Sequence, residues 1–283
     1  MKFYVKDCPA HLSLFQWIYE QSDFYTAIKD IATSTKIDDV IELPHKIDIP
    51  SLIKDTLSTL ETFGTKGWQT TKGQSKAYGG LSMVYNPDLI DIIDPNQHTL
   101  GTPVNTPDQF YYSSTENFRS IRNTYFDSYG FRKLSPCISQ TNLKNFINEF
   151  HLSPTRSRIA VLDADMHDRV GEEFLWHKDE TIFENLRINI PIDTDSSFLF
   201  QLENKQPIHL ELGKIYTWDT NLPHRIYATK KSTKKRTHLV LGFTPWVDYI
   251  EEQDAFILNS HFGKTHPFNI LKDGLAHGLI GTS

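Results

Sequence analysis

The chain has 283 residues, 39% hydrophobic and 23% charged, with a formal net charge of -6. That suffices for a sizeable core in one large or two unequal domains, and it excludes a strongly basic surface, so no nucleic-acid partner is expected. Two separated cysteines, Cys8 and Cys137, exclude a disulfide framework or a cysteine metal site; no apolar run approaches about 18 residues, and the opening MKFYVKDCPAHLSLF carries an aspartate, so a soluble cytoplasmic protein with no membrane partner is expected.

In chain order, LSLFQWIYEQSDFYTAIKDI (12–31) and SLIKDTLSTLETF (51–63) place apolar residues at helical spacing, the second just after Pro50, a favourable first-turn residue. From Gly64 to Tyr112 the text is rich in Gly, Pro, Asn and Thr and predicts long loops, which can wall a substrate site or simply connect elements. NLKNFINEF (142–150) predicts a short helix. From Arg156 the period changes to that of strands: SRIAVLDA, EEFLWHKD, LRINIPI, SSFLFQL, PIHLEL, KIYTWDT, HRIYAT and RTHLVLGFTPW follow one another with no long helix between them. This pattern favours an antiparallel sandwich or barrel over a βαβ fold. Residues 247–283 return to helix and loop. The expected organisation is a helix and loop region over 1–150, a strand core over 151–246 and a C-terminal cover over 247–283, packed as one unit.

His177 and Asp179 stand at i and i+2 and so share one face of an extended segment. With His224, which opens HRIYAT, they supply two imidazoles and a carboxylate, the facial set that leaves coordination positions open on iron. An imidazole and a carboxylate can equally form a surface hydrogen bond. Arg187 and Asn189 share the face of LRINIPI opposite Leu186, Ile188, Ile190 and Ile192, while Arg236 and His238 share a parity in RTHLVLGFTPW. An arginine fork matches a carboxylate. His238 and His209 can touch substrate or orient a neighbour, though ordinary polar strand positions account for both. Packing accounts for Trp176, Tyr216, Trp218, Tyr227 and Trp246, and a solvated hairpin for the basic run Lys230–Arg236.

HKDETIFENLRINIPI, GKIYTWDTNLPHRIYAT and RTHLVLGFTPW together resemble the aspartyl/asparaginyl β-hydroxylase-like branch of the iron(II), 2-oxoglutarate dioxygenases, over residues 156–246. The resemblance implies a mostly β fold with flanking helices, a double-stranded β-helix of the cupin or jelly-roll type. It implies iron(II) on His177 and His224, with Asp179 as third ligand, and 2-oxoglutarate held by Arg236 with Arg187 or Asn189 assisting. Trp246 is similar to the final tryptophan of the pattern. Asp179 departs from the animal-type members, which have glycine there, and Asn189 stands where members often have histidine. The implied activity is dioxygen-dependent hydroxylation of an unactivated C–H bond on an amino acid, peptide or small molecule. Zinc or manganese can occupy the same donors; a cupin isomerase or a metal-bearing binding protein would keep the triad, and a non-catalytic cupin-like binding protein would tolerate loss of any one ligand. Oligomeric state stays open.

Overall fold

The computed structural model describes residues 1–35, 37–70, 73–89, 127–139, 141–162, 176–229 and 234–276, with backbone alone described for 66–70, 73–77, 89 and 276. In chain order these form β1 (Lys2–Tyr4), α1 (Leu14–Gln21), α2 (Phe24–Ala32), β2 (Ile41–Leu43), α3 (Ile49–Phe63), β3 (Lys66–Thr70), β4 (Gly73–Ser82), β5 (Val84–Tyr85) and β6 (Lys133–Leu134). There follow α4 (Asn142–Asn148), β7 (Ser153–Leu162), β8 (Leu186–Asp193), β9 (Phe198–Leu202), β10 (Ile215–Thr217), β11 (His224–Ala228), β12 (Arg236–Thr244), β13 (Val247–Ile250), β14 (Ala255–Leu258) and α5 (Pro267–Ala276).

Local chemistry explains the helix boundaries. The Ser13 side chain accepts from the Gln16 N–H at the start of α1, and Asp48 accepts from the Ser51 N–H at the start of α3, which carries Pro50 in its first turn. The segment 12–31 is two helices because Ser22 leaves the helical region, at φ -121° and ψ 151°, while its hydroxyl donates back to the Ile18 carbonyl.

A seven-stranded antiparallel sheet in the order β2-β10-β8-β12-β7-β4-β3 carries the architecture. Its strands alternate as period two requires. Leu81, Ile159, Ile188, Ile190, Leu239 and Leu241 point to one face, where they share a core with Leu14, Ile18, Phe24, Leu52, Leu143, Ile147 and Leu271 from the five helices. The other face presents Arg158, Asn189, Val240 and Tyr216 in one cross-strand row, with Arg187 opposite Gly242 and His238 opposite Pro191 and Ala160 in the neighbouring rows. Over this second face lies the two-stranded sheet β9–β11, joined to it through clusters containing Leu162, Phe198 and Ala228, and Phe200, Leu202 and Tyr216. β1–β14–β13 and β5–β6 form two further small sheets.

Two expectations are corrected. The fold is mixed α/β, with four separate open sheets and five α-helices among the described residues, and not a double-stranded β-helix. Among the described residues the large ladder ends at β2 and β3, and β9 and β11 hydrogen bond to each other and, by single bridges, to Ile208 and His177, so no described ladder closes into a barrel. The glycine-rich text after Gly64 contains β3 and β4 rather than uninterrupted loop. Glycine is required at Gly80, where a Cβ would sit 2.6 Å from the Ile159 carbonyl oxygen of the adjacent strand. The expected loops over 90–112, the first half of the expected strand over 172–179 and the lysines of 230–233 lie outside the described residues, and 176–179 form no strand beyond the single bridge at His177. No described helix is long and apolar enough to cross a membrane.

Candidate metal centre

His177 and His224 face each other across an antiparallel bridge in which each backbone N–H donates to the other's carbonyl, at 3.0 and 2.9 Å. Their rings lie 4.3 Å apart, centroid to centroid. Asp179 is held beside them because its N–H donates to the Thr220 carbonyl (2.9 Å), and the Thr220 hydroxyl donates to the Glu180 carbonyl (2.7 Å). One ligand atom from each of His177, Asp179 and His224 falls within 4.8 Å of the other two. Donors each about 2.1 Å from one ion stand about 3.0 Å apart at adjacent octahedral positions and about 3.4 Å apart in a tetrahedron, so a pair 4.8 Å apart closes by about 1.4–1.8 Å to share a metal. The donor set therefore fits a divalent cation.

The orientation of His224 is fixed from behind. Its Nδ1 lies 2.8 Å from the Leu222 carbonyl, which can only accept, so Nδ1 carries the proton and Nε2 offers its lone pair toward Asp179, 3.6 Å away. His224 is buried, Asp179 partly buried and His177 exposed, so the three donors run from the interior to the surface. Burial alone would raise the Asp179 carboxyl; Arg187 first, with the two neighbouring imidazoles, holds it well below the usual carboxylate range.

Arg187 lies inward of the triad, donating through Nη1 to Asp179 and through Nη2 to Glu180 (2.9 Å). Arg156 pairs with the same Glu180. A bulge in β7 brings it there: Val240 faces Arg158 and Gly242 faces Thr155, leaving an extra residue on β7, and Arg156 takes a left-handed backbone, φ 45°. Sequence reading missed Arg156, Arg158 and Glu180; two arginines at i and i+2 on a strand were the available signal.

Deeper in, Arg236 is buried and donates through Nη2 to His238 Nδ1 at 2.9 Å. Since a guanidinium has no acceptor, His238 Nδ1 is unprotonated and the ring's one N–H is on Nε2. Burial first, then Arg236 and His209, hold the His238 imidazole well below its ordinary pKa, so it is neutral. Its Nε2 and the Asn189 Nδ2 are buried with no hydrogen-bond partner among the described residues. Burial also pulls Arg236 down to about 9, with Tyr78 opposing, and no carboxylate is paired with it among the described residues. A buried cation beside two unmet donors on one sheet face has the chemistry of an anion site. His209 is partly buried, its Nδ1 3.1 Å from the Phe198 carbonyl. Trp246 is a core residue, fully buried against Phe24, Phe183 and Phe262 with its indole N–H donated to the Thr265 carbonyl (2.8 Å).

The structure thus brings His177, Asp179 and His224 together, places Arg187 against Asp179, and sets Asn189, Arg236 and His238 on the sheet face behind them. It overturns the family resemblance and what followed from it. A 2-oxoglutarate dioxygenase of the β-hydroxylase-like branch, a cupin isomerase and a cupin-like binding protein all rest on a closed double-stranded β-helix, and the open sheets of the described residues do not supply one. No protein-family model and no curated protein matches the chain.

Proposed function

We propose that the protein binds one divalent first-row transition cation, iron(II), through His177, Asp179 and His224, together with a small anionic molecule at Arg236. The convergence of three donor atoms within 4.8 Å carries this reading. Two imidazoles and one carboxylate on one side of an ion leave positions for a further ligand. A carboxylate on an amino acid, peptide or other small molecule suits Arg236, with Asn189 and His238 Nε2 donating to it. Arg187 keeps Asp179 ionised and aligned. A reducing intracellular location belongs to the same reading, since Cys8 and Cys137 are free and buried.

The test is anaerobic titration of metal-free protein with iron(II), read by calorimetry and metal analysis. One equivalent bound by the wild type, lost in Asp179→Ala and His224→Ala, supports the site. A second reading has its own observation: Arg187 already neutralises Asp179, as in a metal-free ion-pair network. Failure of the wild type to retain any divalent ion favours that network and refutes the metal reading.

A further inference from the structure

The outer face of the β9–β11 sheet carries a stack that the metal site does not itself use. Arg225 follows His224 and Trp176 precedes His177, so alternation sends both away from the imidazoles, and the His177–His224 bridge sets them opposite each other. The Arg225 guanidinium lies 4.5 Å from the ring centroid of Trp176 and 4.5 Å from that of Tyr227, two residues farther along β11. Gln201, its cross-strand neighbour on β9, fixes the guanidinium in its own plane: its Oε1 accepts from Arg225 Nε (2.9 Å) and Nη2 (2.7 Å), and its amide donates to the Lys205 carbonyl (2.9 Å). All four side chains are partly buried, so the stack sits at the surface, back to back with the ligands.

We infer that Trp176, Arg225 and Tyr227 form a positioning clip that holds the segment carrying His177 and Asp179 against β11 and so sets the spacing of the metal ligands. The inference rests on the metal reading above. Residues 176–180 lie in no regular strand, and the hydrogen bonds described for their backbone are two with His224 and two with Thr220, one of these from the threonine hydroxyl. A segment so lightly laced needs side-chain contacts to keep an imidazole in place to within the tolerance of a coordination bond. An arginine between two aromatic rings supplies such a contact on the strand bearing the second histidine. The three clip residues touch no metal; they act through the backbone of the ligands beside them.

The experiment is cobalt(II) titration of full-length wild type, Arg225→Ala, Arg225→Lys, Trp176→Ala and Trp176→Phe, read by affinity and by the visible d–d spectrum of the bound ion. Arg225→Ala and Trp176→Ala are expected to weaken cobalt(II) about 10–100-fold and to shift the bands, as removing a ligand's supporting partner does. Trp176→Phe keeps a ring and Arg225→Lys keeps a cation, so each is expected to recover part of the affinity and the wild-type band positions. Alanine variants that melt earlier yet bind cobalt(II) with wild-type affinity and spectrum overturn the clip, leaving the metal site standing. A wild type that binds no cobalt(II) overturns the metal reading and this inference with it. Should Arg225→Ala not fold, Trp176→Ala at its partly exposed position decides the same comparison.

Discussion

Replacing Arg187 by methionine tests how Asp179 is kept ionised. Arg187 is buried, and it bridges Asp179 and Glu180. Glu180 keeps Arg156 after the change, so Asp179 alone loses its main counter-charge. Breaking a buried pair from one side destabilises by about 3–5 kcal/mol. The lower end applies, because one carboxylate rather than two is orphaned and it escapes part of the penalty by taking up a proton. For a chain of a few hundred residues about 1 kcal/mol moves Tm by about 2–4 °C, so a fall of about 6–12 °C is expected for metal-free protein in chelator. Saturating cobalt(II) restores positive charge beside Asp179, so the gap between variant and wild type should narrow in the loaded proteins. Differential scanning calorimetry of both forms measures this. A metal-free variant melting within about 2 °C of wild type refutes the neutralising role of Arg187, and an equal gap with and without cobalt(II) refutes metal on Asp179.

Arg236→Met removes a buried guanidinium whose described partner is the neutral His238, so the ligand-free protein should gain about 1–4 kcal/mol in urea denaturation while oxalate or succinate loses any stabilising effect; a less stable variant would show that Arg236 is already neutralised. In Gly242→Ala the new Cβ would stand 2.3 Å from the Thr155 carbonyl oxygen and 2.4 Å from Asn185 Oδ1, so β12 must part from its neighbours opposite Arg187, with about 1–3 kcal/mol lost and weaker metal binding; an unperturbed melt would contradict the tight register. Asp127 supplies a pH test. Burial pushes its carboxyl up to about 8 against the N–H groups of Leu14 and Gly130 and the charge of Arg132. The folded chain therefore holds this proton to higher pH than the unfolded chain, and stability falls as pH rises from about 4 to about 8, by up to about 1.4 kcal/mol per unit. Urea denaturation at pH 6 and 8 should show that slope in the wild type and a flatter one in Asp127→Asn; equal slopes would remove Asp127 as its source.

The sequence by itself determined the parts that local periodicity encodes. Leu186, Ile188, Ile190 and Ile192 are buried on the helix-covered face as their alternation requires, with Arg187 and Asn189 on the other, and the helices Ile49–Phe63 and Asn142–Asn148 follow from apolar spacing, the first aided by Pro50. The His-x-Asp pair and His224 were legible as a donor set because residue type and parity state which atoms can face one way. Closure of the sheets was not legible, since strand patterns fix which face is buried and say nothing about which edges hydrogen bond. That β9 and β11 pair with each other, and that the large ladder stops at β2 and β3, was decided by tertiary pairing. The strand at Gly73–Ser82 was hidden for a related reason: its glycines read locally as turn, and only the close approach of β7 explains Gly80. Tertiary structure also decided the neighbours of the site. Arg156 reaches Glu180 through a bulge, and Arg225 meets Trp176 through a single bridge, both contacts between segments whose separation along the chain carries no sequence signal.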